Sequence, residues 1–105
     1  GKDLKSIHII GKKEEEIIAY SRIMRLNNDF CSIGRVLVKK ELRKKGIGIK
    51  LMKKSIEEAT KEYYSRKIKI SAQGYLKNFY TNLGFKHTGK SYLEDGIPHI
   101  EMIFN

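Results

Sequence analysis

Residues Glu41–Lys54 read ELRKKGIGIKLMKK. Basic side chains crowd around two glycines, Gly46 and Gly48, and a short apolar ladder follows. Just upstream, Ser32–Val38 (SIGRVLV) has the β-branched, apolar character of a strand. Downstream, Leu51 or Met52, Ile56, Ala59 and Tyr63 recur at three- and four-residue steps, the spacing of an amphipathic helix. Glu57, Glu58, Lys61 and Glu62 fall on the wet side of that helix. The hydrophobic period therefore changes at the glycines, which mark a strand-to-helix junction. Such a junction leaves backbone N–H groups unpaired, with the positive end of the helix dipole behind them. Glycine lets an anion reach those groups without meeting a Cβ. A pyrophosphate suits the arrangement, and Lys44, Lys45 and Lys50 add field around it. A nucleotide P-loop is excluded, because Ile49-Lys50-Leu51 stands where Lys-Ser/Thr is needed. A dinucleotide fingerprint is excluded too, because Leu51 occupies the place of its third glycine.

Working outward from the junction, Ser6–Ile10 is a short β-rich run ended by Gly11, and Lys12–Glu15 is a charged hairpin turn. Ile17–Leu26 returns as a strand, with Ile18, Tyr20 and Arg22 on one face and Ala19, Ser21 and Ile23 on the other. Asn27-Asn28-Asp29 is a turn by composition. Gly34 inside the third strand predicts a bulge or a close backbone approach. Beyond the helix, Lys67–Ser71 (KIKIS) alternates strictly and reads as a strand. Tyr75–Leu83 reads as a short helix closed by Gly84. Phe85–Tyr92 and Ile97–Phe104 are two strands joined by the hairpin signal Glu94-Asp95-Gly96. The predicted order is β-β-β-α-β-α-β-β. It belongs to the α/β (α+β) class, with a mixed, mostly antiparallel sheet and packed helices in a single domain spanning residues 1–105.

Composition narrows the function classes. A chain of 105 residues can build one core. No apolar run approaches the ~20 residues of a membrane span, and the start lacks the h-region of a signal peptide. One cysteine, Cys31, cannot pair internally, which points to a reducing cytoplasm. Cys31 reads as a small strand-edge residue, since a covalent acyl-cysteine route would want a His/Asp pairing nearby. The net charge of +10 attracts polyanions. Yet 17 lysines stand against 5 arginines, whereas base-edge readers lean on arginine forks. The aromatics also follow core patterns and do not interleave with the lysines as a stacking platform requires. Nucleic acid is thus a disfavoured partner. Scattered histidines and one cysteine make no metal site.

Val36-Leu37-Val38 followed by Arg43-Lys44-Lys45-Gly46-Ile47-Gly48 resembles the acyl-CoA signature of the GNAT N-acetyltransferase superfamily. Asn78-Phe79-Tyr80-Thr81-Asn82-Leu83-Gly84-Phe85 is similar to its second motif. AYSRIM, IGRVLV, the AQ–LKNFY–GF run and EDGIPHIEM resemble the bacterial ElaA-like family within it. The resemblance covers Asp3 to Phe104. Family members begin with a strand and two helices ahead of the point where this chain starts, and those helices help to wall the acceptor site. The edge left without a first strand would favour pairing, so a homodimer is an expectation.

The resemblance implies an enzyme that uses acetyl-CoA as co-substrate and transfers the acetyl group directly to a primary amine. The backbone of Arg43 to Gly48 would hold the pyrophosphate, and Val36, Leu37 and Val38 would pair with the pantetheine amides. Gln73 and Asn78 would touch the CoA arm through their side-chain amides. Tyr80 matches the usual general acid; a phenol with a pKa of ~10 stays protonated at neutral pH. No base follows from the family pattern. His99 is the best side-chain candidate, because imidazole titrates near neutrality. Glu101 shares its strand face and is a weaker one. His8 and His87 have no supporting context, Arg22 and Arg35 face either acceptor or solvent, and Phe85 belongs to the core. A CoA-binding module without catalysis is the alternative reading.

Overall fold

The computed structural model describes residues 6–43, 46–64 and 67–105. Its elements are strands β1 (Ser6–Lys13), β2 (Glu16–Arg25) and β3 (Phe30–Val38), helix α1 (Ile47–Glu62), strand β4 (Lys67–Gln73), helix α2 (Lys77–Asn82), and strands β5 (Lys86–Glu94) and β6 (Ile97–Phe104). The expected order of strands and helices is the observed one. Six strands form one sheet in the order β1-β2-β3-β4-β6-β5. Every pairing is antiparallel except β3 with β4. That pair is joined through α1, as a parallel connection requires.

Alternation along the strands separates two faces. Ala19, Ser21, Ile23, Cys31, Ile33, Ile68, Ile70, Ala72, Ile100 and Met102 are buried on the inner face, and most of them join Met52 and Ala59 of α1 and Tyr80 of α2 in one core cluster. Tyr20, Arg22, Lys69, Ser71, His99 and Glu101 alternate onto the outer face. One polar contact is sealed inside. Ser55 Oγ donates to the Leu51 carbonyl at 2.7 Å and meets Ser21 Oγ at 2.6 Å, so Ser21 is the donor to Ser55. This pair pins α1 over β2. Cys31 is fully buried in a central strand, not at a strand edge, because the sheet continues on both sides of β3.

Strand ends shift by one or two residues from the sequence reading, and three differences bear on the geometry. Strand β1 runs through Gly11 to Lys13, because its pairing with β2 continues to Lys13↔Glu16, and Gly11 allows a close approach to Ala19, whose Cβ would lie 3.2 Å from an added Cβ. The expected helix over Tyr75–Leu83 divides into a 3-10 turn at Gly74–Leu76 and then α2. The hairpin turn narrows to Asp95-Gly96, with φ of 54° and 77°, as a type I′ turn demands. Among the described residues no helix is long and apolar enough to cross a membrane.

Candidate active site

The site begins with a bulge. Strand β3 pairs with β2 at Ala19↔Val38 and Tyr20↔Leu37, then at Arg22↔Gly34, so β3 carries one residue more than β2 in this interval. Gly34 predicts the bend, but the strained residue is its neighbour Arg35, at φ 51°. A non-glycine residue in that region costs about 1–2 kcal/mol. Bulged strands bend. Parallel pairing with β4 accordingly ends at Ser32↔Lys69, although β3 runs on to Val38 and β4 to Gln73. The two strands splay and leave a cleft of about 150 Å³ through the sheet. Beyond Ser32, β3 has backbone groups on its β4 side without a strand partner. Leu37 is exposed, and Val36 and Val38 are half-buried.

Two titratable side chains meet this cleft from opposite faces. Tyr80, on α2, lines it from the helix side with Met52, Ile70 and Ala72. Its ring packs edge-on against Phe79 and Phe85. Among the described residues its hydroxyl has no hydrogen-bond partner. Burial raises the phenol above its usual pKa, with a smaller contribution from Tyr75. The proton is thus held more firmly than in water, because the phenolate would be poorly solvated.

His99 comes from the outer face of β6 and is in register with Gln73 of β4 and Tyr92 of β5. It is buried at 7% exposure. Its Nδ1 lies 2.8 Å from the Ile97 carbonyl, which can only accept, so Nδ1 carries the hydrogen. In the neutral ring Nε2 is then the basic nitrogen. Tyr92 stacks on the imidazole with centroids 6.2 Å apart.

At the end of the cleft-forming strand, Arg43 Nε donates to the Val38 carbonyl at 3.2 Å. Gly46 is the N-cap of α1 at φ 77°, a left-handed conformation suited to glycine, with no side-chain cap bond and no acidic residue in the first turn. The first intrahelical bond, from Lys50 N to Gly46 O at 3.1 Å, leaves the N–H groups of Ile47 and Gly48 without a helical acceptor. Gly48 is close to Phe79, whose Cζ would lie 3.8 Å from an added Cβ. Lys44 and Lys45 lie outside the described residues.

Other expected residues scatter. Gln73 lines the cleft, while Asn78 is exposed on α2 and does not. Glu101 is engaged by Lys69 at 3.7 Å and by Thr88 Oγ1 at 3.1 Å, which weakens it as a base. His8 bonds and stacks on Tyr20, away from the cleft, and His87 contacts the Lys90 carbonyl. Phe85 is core, at 1% exposure. Arg35 lines the cleft; Arg22 lies half-buried on the outer face, with its Nε unpartnered among the described residues. Among those residues no three His, Cys, Asp or Glu side chains gather as a metal site. Sequence reasoning missed Ser71, Tyr92 and Glu94. The signal was the hairpin register: a two-residue turn at Asp95-Gly96 places Glu94 opposite Ile97 and Tyr92 opposite His99.

Comparison with known proteins follows the same lines. The sequence model of the acetyltransferase (GNAT) domain matches residues 4–105. Protein ElaA of Escherichia coli K12 is 41% identical over 97 residues, covering 90% of this chain and 63% of ElaA. The chain thus spans less than two thirds of that curated relative. The crystal structure of Escherichia coli ElaA superposes with a TM-score of 0.89 at 37% identity, over 95% of this chain and 68% of the other. An acyl-CoA N-acyltransferase from Pseudomonas aeruginosa gives a TM-score of 0.87 at 30% identity, with the same coverage of 95% and 68%. A GNAT family acetyltransferase from Elizabethkingia anophelis, solved with acetyl-CoA bound, shares the fold at a TM-score of 0.78 and 19% identity, over 93% of this chain and 74% of that one.

Proposed function

This chain belongs to the GNAT acetyltransferase family, and from that premise we propose that it transfers an acetyl group from acetyl-CoA directly to a primary amine. The observation that carries the proposal is the cleft opened by the β3 bulge, with Tyr80 on its helix side and His99 on its outer side. An acyl thioester lying in that cleft would present its carbonyl between an acid and a base. Acetyl-CoA, when bound, supplies an electrophilic carbonyl and a thiolate leaving group.

The chain's own groups divide the work. The N–H groups at Ile47 and Gly48, without an acceptor among the described residues and behind the left-handed Gly46, suit a pyrophosphate. Arg43 contributes charge there, and the sequence adds two lysines directly after it. Val36, Leu37 and Val38 offer backbone donors and acceptors along the splayed edge, where the amides of a pantetheine arm can complete a ladder. A backbone N–H at the bulge stabilises negative charge growing on the carbonyl oxygen. Gln73 orients the arm from β4. Tyr80 gives its proton to the departing sulfur, a role favoured by burial that keeps the phenol protonated. His99 accepts a proton from the amine at Nε2.

Calorimetry with acetyl-CoA tests the donor site, and a coupled thiol-release assay across a panel of primary amines tests transfer. Saturable binding together with amine-dependent thiol release is the expected result. Binding without transfer to any amine would mark the chain as a CoA-binding module. No detectable binding at millimolar acetyl-CoA would sink the proposal.

A further inference from the structure

On the outer face beside the cleft, hydrogen bonds converge on one carboxylate. Tyr92 O–H donates to Ser71 Oγ, and Ser71 Oγ donates to Glu94 Oε1 at 3.4 Å. The second oxygen, Glu94 Oε2, faces His99 Nε2 at 3.8 Å. Two features of this contact matter. The distance is too long for a direct hydrogen bond. The bond from Nδ1 to the Ile97 carbonyl also leaves Nε2 of the neutral ring as an acceptor. Two acceptors therefore face each other across a gap, and a donor of two hydrogens belongs between them. An ammonium nitrogen about 2.8 Å from each, at an angle between about 90° and tetrahedral, bridges acceptors roughly 4–4.6 Å apart, so the 3.8 Å gap has to widen by a few tenths of an ångström to take one.

The charge pattern agrees. Among the described residues, Glu94 has no lysine or arginine partner. The neighbouring Glu101 is already held by Lys69 and Thr88, and Glu16, Glu57 and Glu58 pair with lysines elsewhere. Glu94 is 55% exposed at its side chain, whereas His99 is 9% exposed. A ligand arriving from solvent thus meets the carboxylate first and the imidazole behind it.

We propose that Glu94 and His99 form an ammonium-binding subsite at the outer mouth of the cleft, and that the acceptor is a cationic amine docked between them. The proposal rests on the acetyltransferase reading for its chemistry, but not for the binding itself. The acceptor arrives as R–NH3+. One N–H bond breaks as His99 Nε2 takes that proton, while Glu94 holds the amine in place. The freed lone pair forms the C–N bond to the acetyl carbon. The C–S bond breaks, its electron pair leaves with sulfur, and sulfur takes the Tyr80 proton. The amide nitrogen's surplus proton returns to the Tyr80 oxygen, and His99 releases its own to solvent. The products are R–NH–acetyl, CoA thiol and one proton.

Titration of labelled protein with butylammonium chloride, followed by NMR, tests the subsite directly. Saturable shifts at His99, Ser71 and Tyr92 are expected, and 1-pentanol, the neutral analogue of similar length, should produce none. In Glu94→Gln the probe's Kd should rise about tenfold, the usual scale for losing one charge-assisted contact. Kinetically the same variant should raise KM for butylamine by a similar factor, with kcat changed less than about threefold and acetyl-CoA binding unaltered. Aniline, which is uncharged at pH 7, should lose much less. Equal responses of wild type and Glu94→Gln to butylammonium, or equal responses to 1-pentanol, would overturn the subsite. Glu94-dependent binding without acetyl transfer to any amine would support the subsite and overturn the acetyltransferase reading.

Discussion

Gly84 offers a demanding test of how the fold supports Tyr80. It follows α2 with φ of 107°, beyond the left-handed well that other residues visit at a cost. Placing alanine there costs about 1–3 kcal/mol in backbone strain alone. The added Cβ would also lie 2.8 Å from Phe104 Cε2 and 3.2 Å from its Cδ2. Phe104 cannot simply turn aside, because its ring rests against buried Phe85 with centroids 5.4 Å apart. Overpacking of this kind costs about 1–3 kcal/mol. Gly84→Ala should therefore lose about 2–6 kcal/mol, a large share of the roughly 5–15 kcal/mol that holds a domain folded. Urea unfolding followed by circular dichroism measures it; with a slope of about 1–3 kcal/mol/M the midpoint should fall by roughly 2 M. Repeating the substitution in a Phe104→Leu background separates the two causes. The steric part should disappear there, shrinking the loss by about 1–3 kcal/mol, while the backbone part remains. A loss below about 1 kcal/mol in the parent chain, or an identical loss in both backgrounds, would refute the reasoning. The consequence reaches the site, because Leu83 N and Phe85 N both bond the Tyr80 carbonyl, at 3.0 and 3.1 Å.

Three further expectations bear on the site and its support. Tyr80→Phe should lower kcat about a hundredfold, the scale of general acid catalysis, with acetyl-CoA affinity within about twofold of wild type by calorimetry. An equal loss of both would assign Tyr80 to binding or packing. Burial raises the Tyr80 phenol above its unfolded value, so the folded state holds its proton more tightly. The associated stability is fully present below pH ~10 and is lost as pH rises through the folded pKa. Denaturant titrations between pH 9 and 11 should show wild type losing stability faster than Tyr80→Phe; parallel curves would contradict this. Ser55→Ala removes the acceptor of the sealed Ser21 hydroxyl and should cost about 1–3 kcal/mol in urea. The double change Ser21→Ala with Ser55→Ala should recover part of that loss, and no recovery would mean that the pair is not the cause.

Much of this architecture follows from local pattern. The change of period at Gly46–Gly48, the alternation of β2 and β4, and the Asp95-Gly96 turn are short-range signals, and each marks an element found in the structure. The order of the elements and the two faces of β2 were legible for the same reason. So was the glycine junction as a place for an anion, since backbone chemistry at a strand-to-helix junction depends on neighbours in sequence, whereas its reading as a CoA site came from the family resemblance. Three features were not legible. Gly34 pointed to a bulge, yet the left-handed residue is Arg35, because the register of β2 against β3 decides where the extra residue is absorbed. Cys31 looked like an edge residue until the crossover through α1 put β4 beside β3.

The grouping of Glu94, Ser71 and Tyr92 around His99 required three strands to be brought together. Ser71 and His99 are 28 residues apart and belong to strands whose pairing only the completed sheet defines. Periodicity by itself determined which residues are strand, helix and turn, and which face each one takes, because those properties repeat over a few residues. Only the tertiary structure decided which faces meet and where β3 parts from β4. It alone placed a phenol and an imidazole on opposite sides of the resulting gap, because these depend on long-range pairing and packing that no short window of sequence contains.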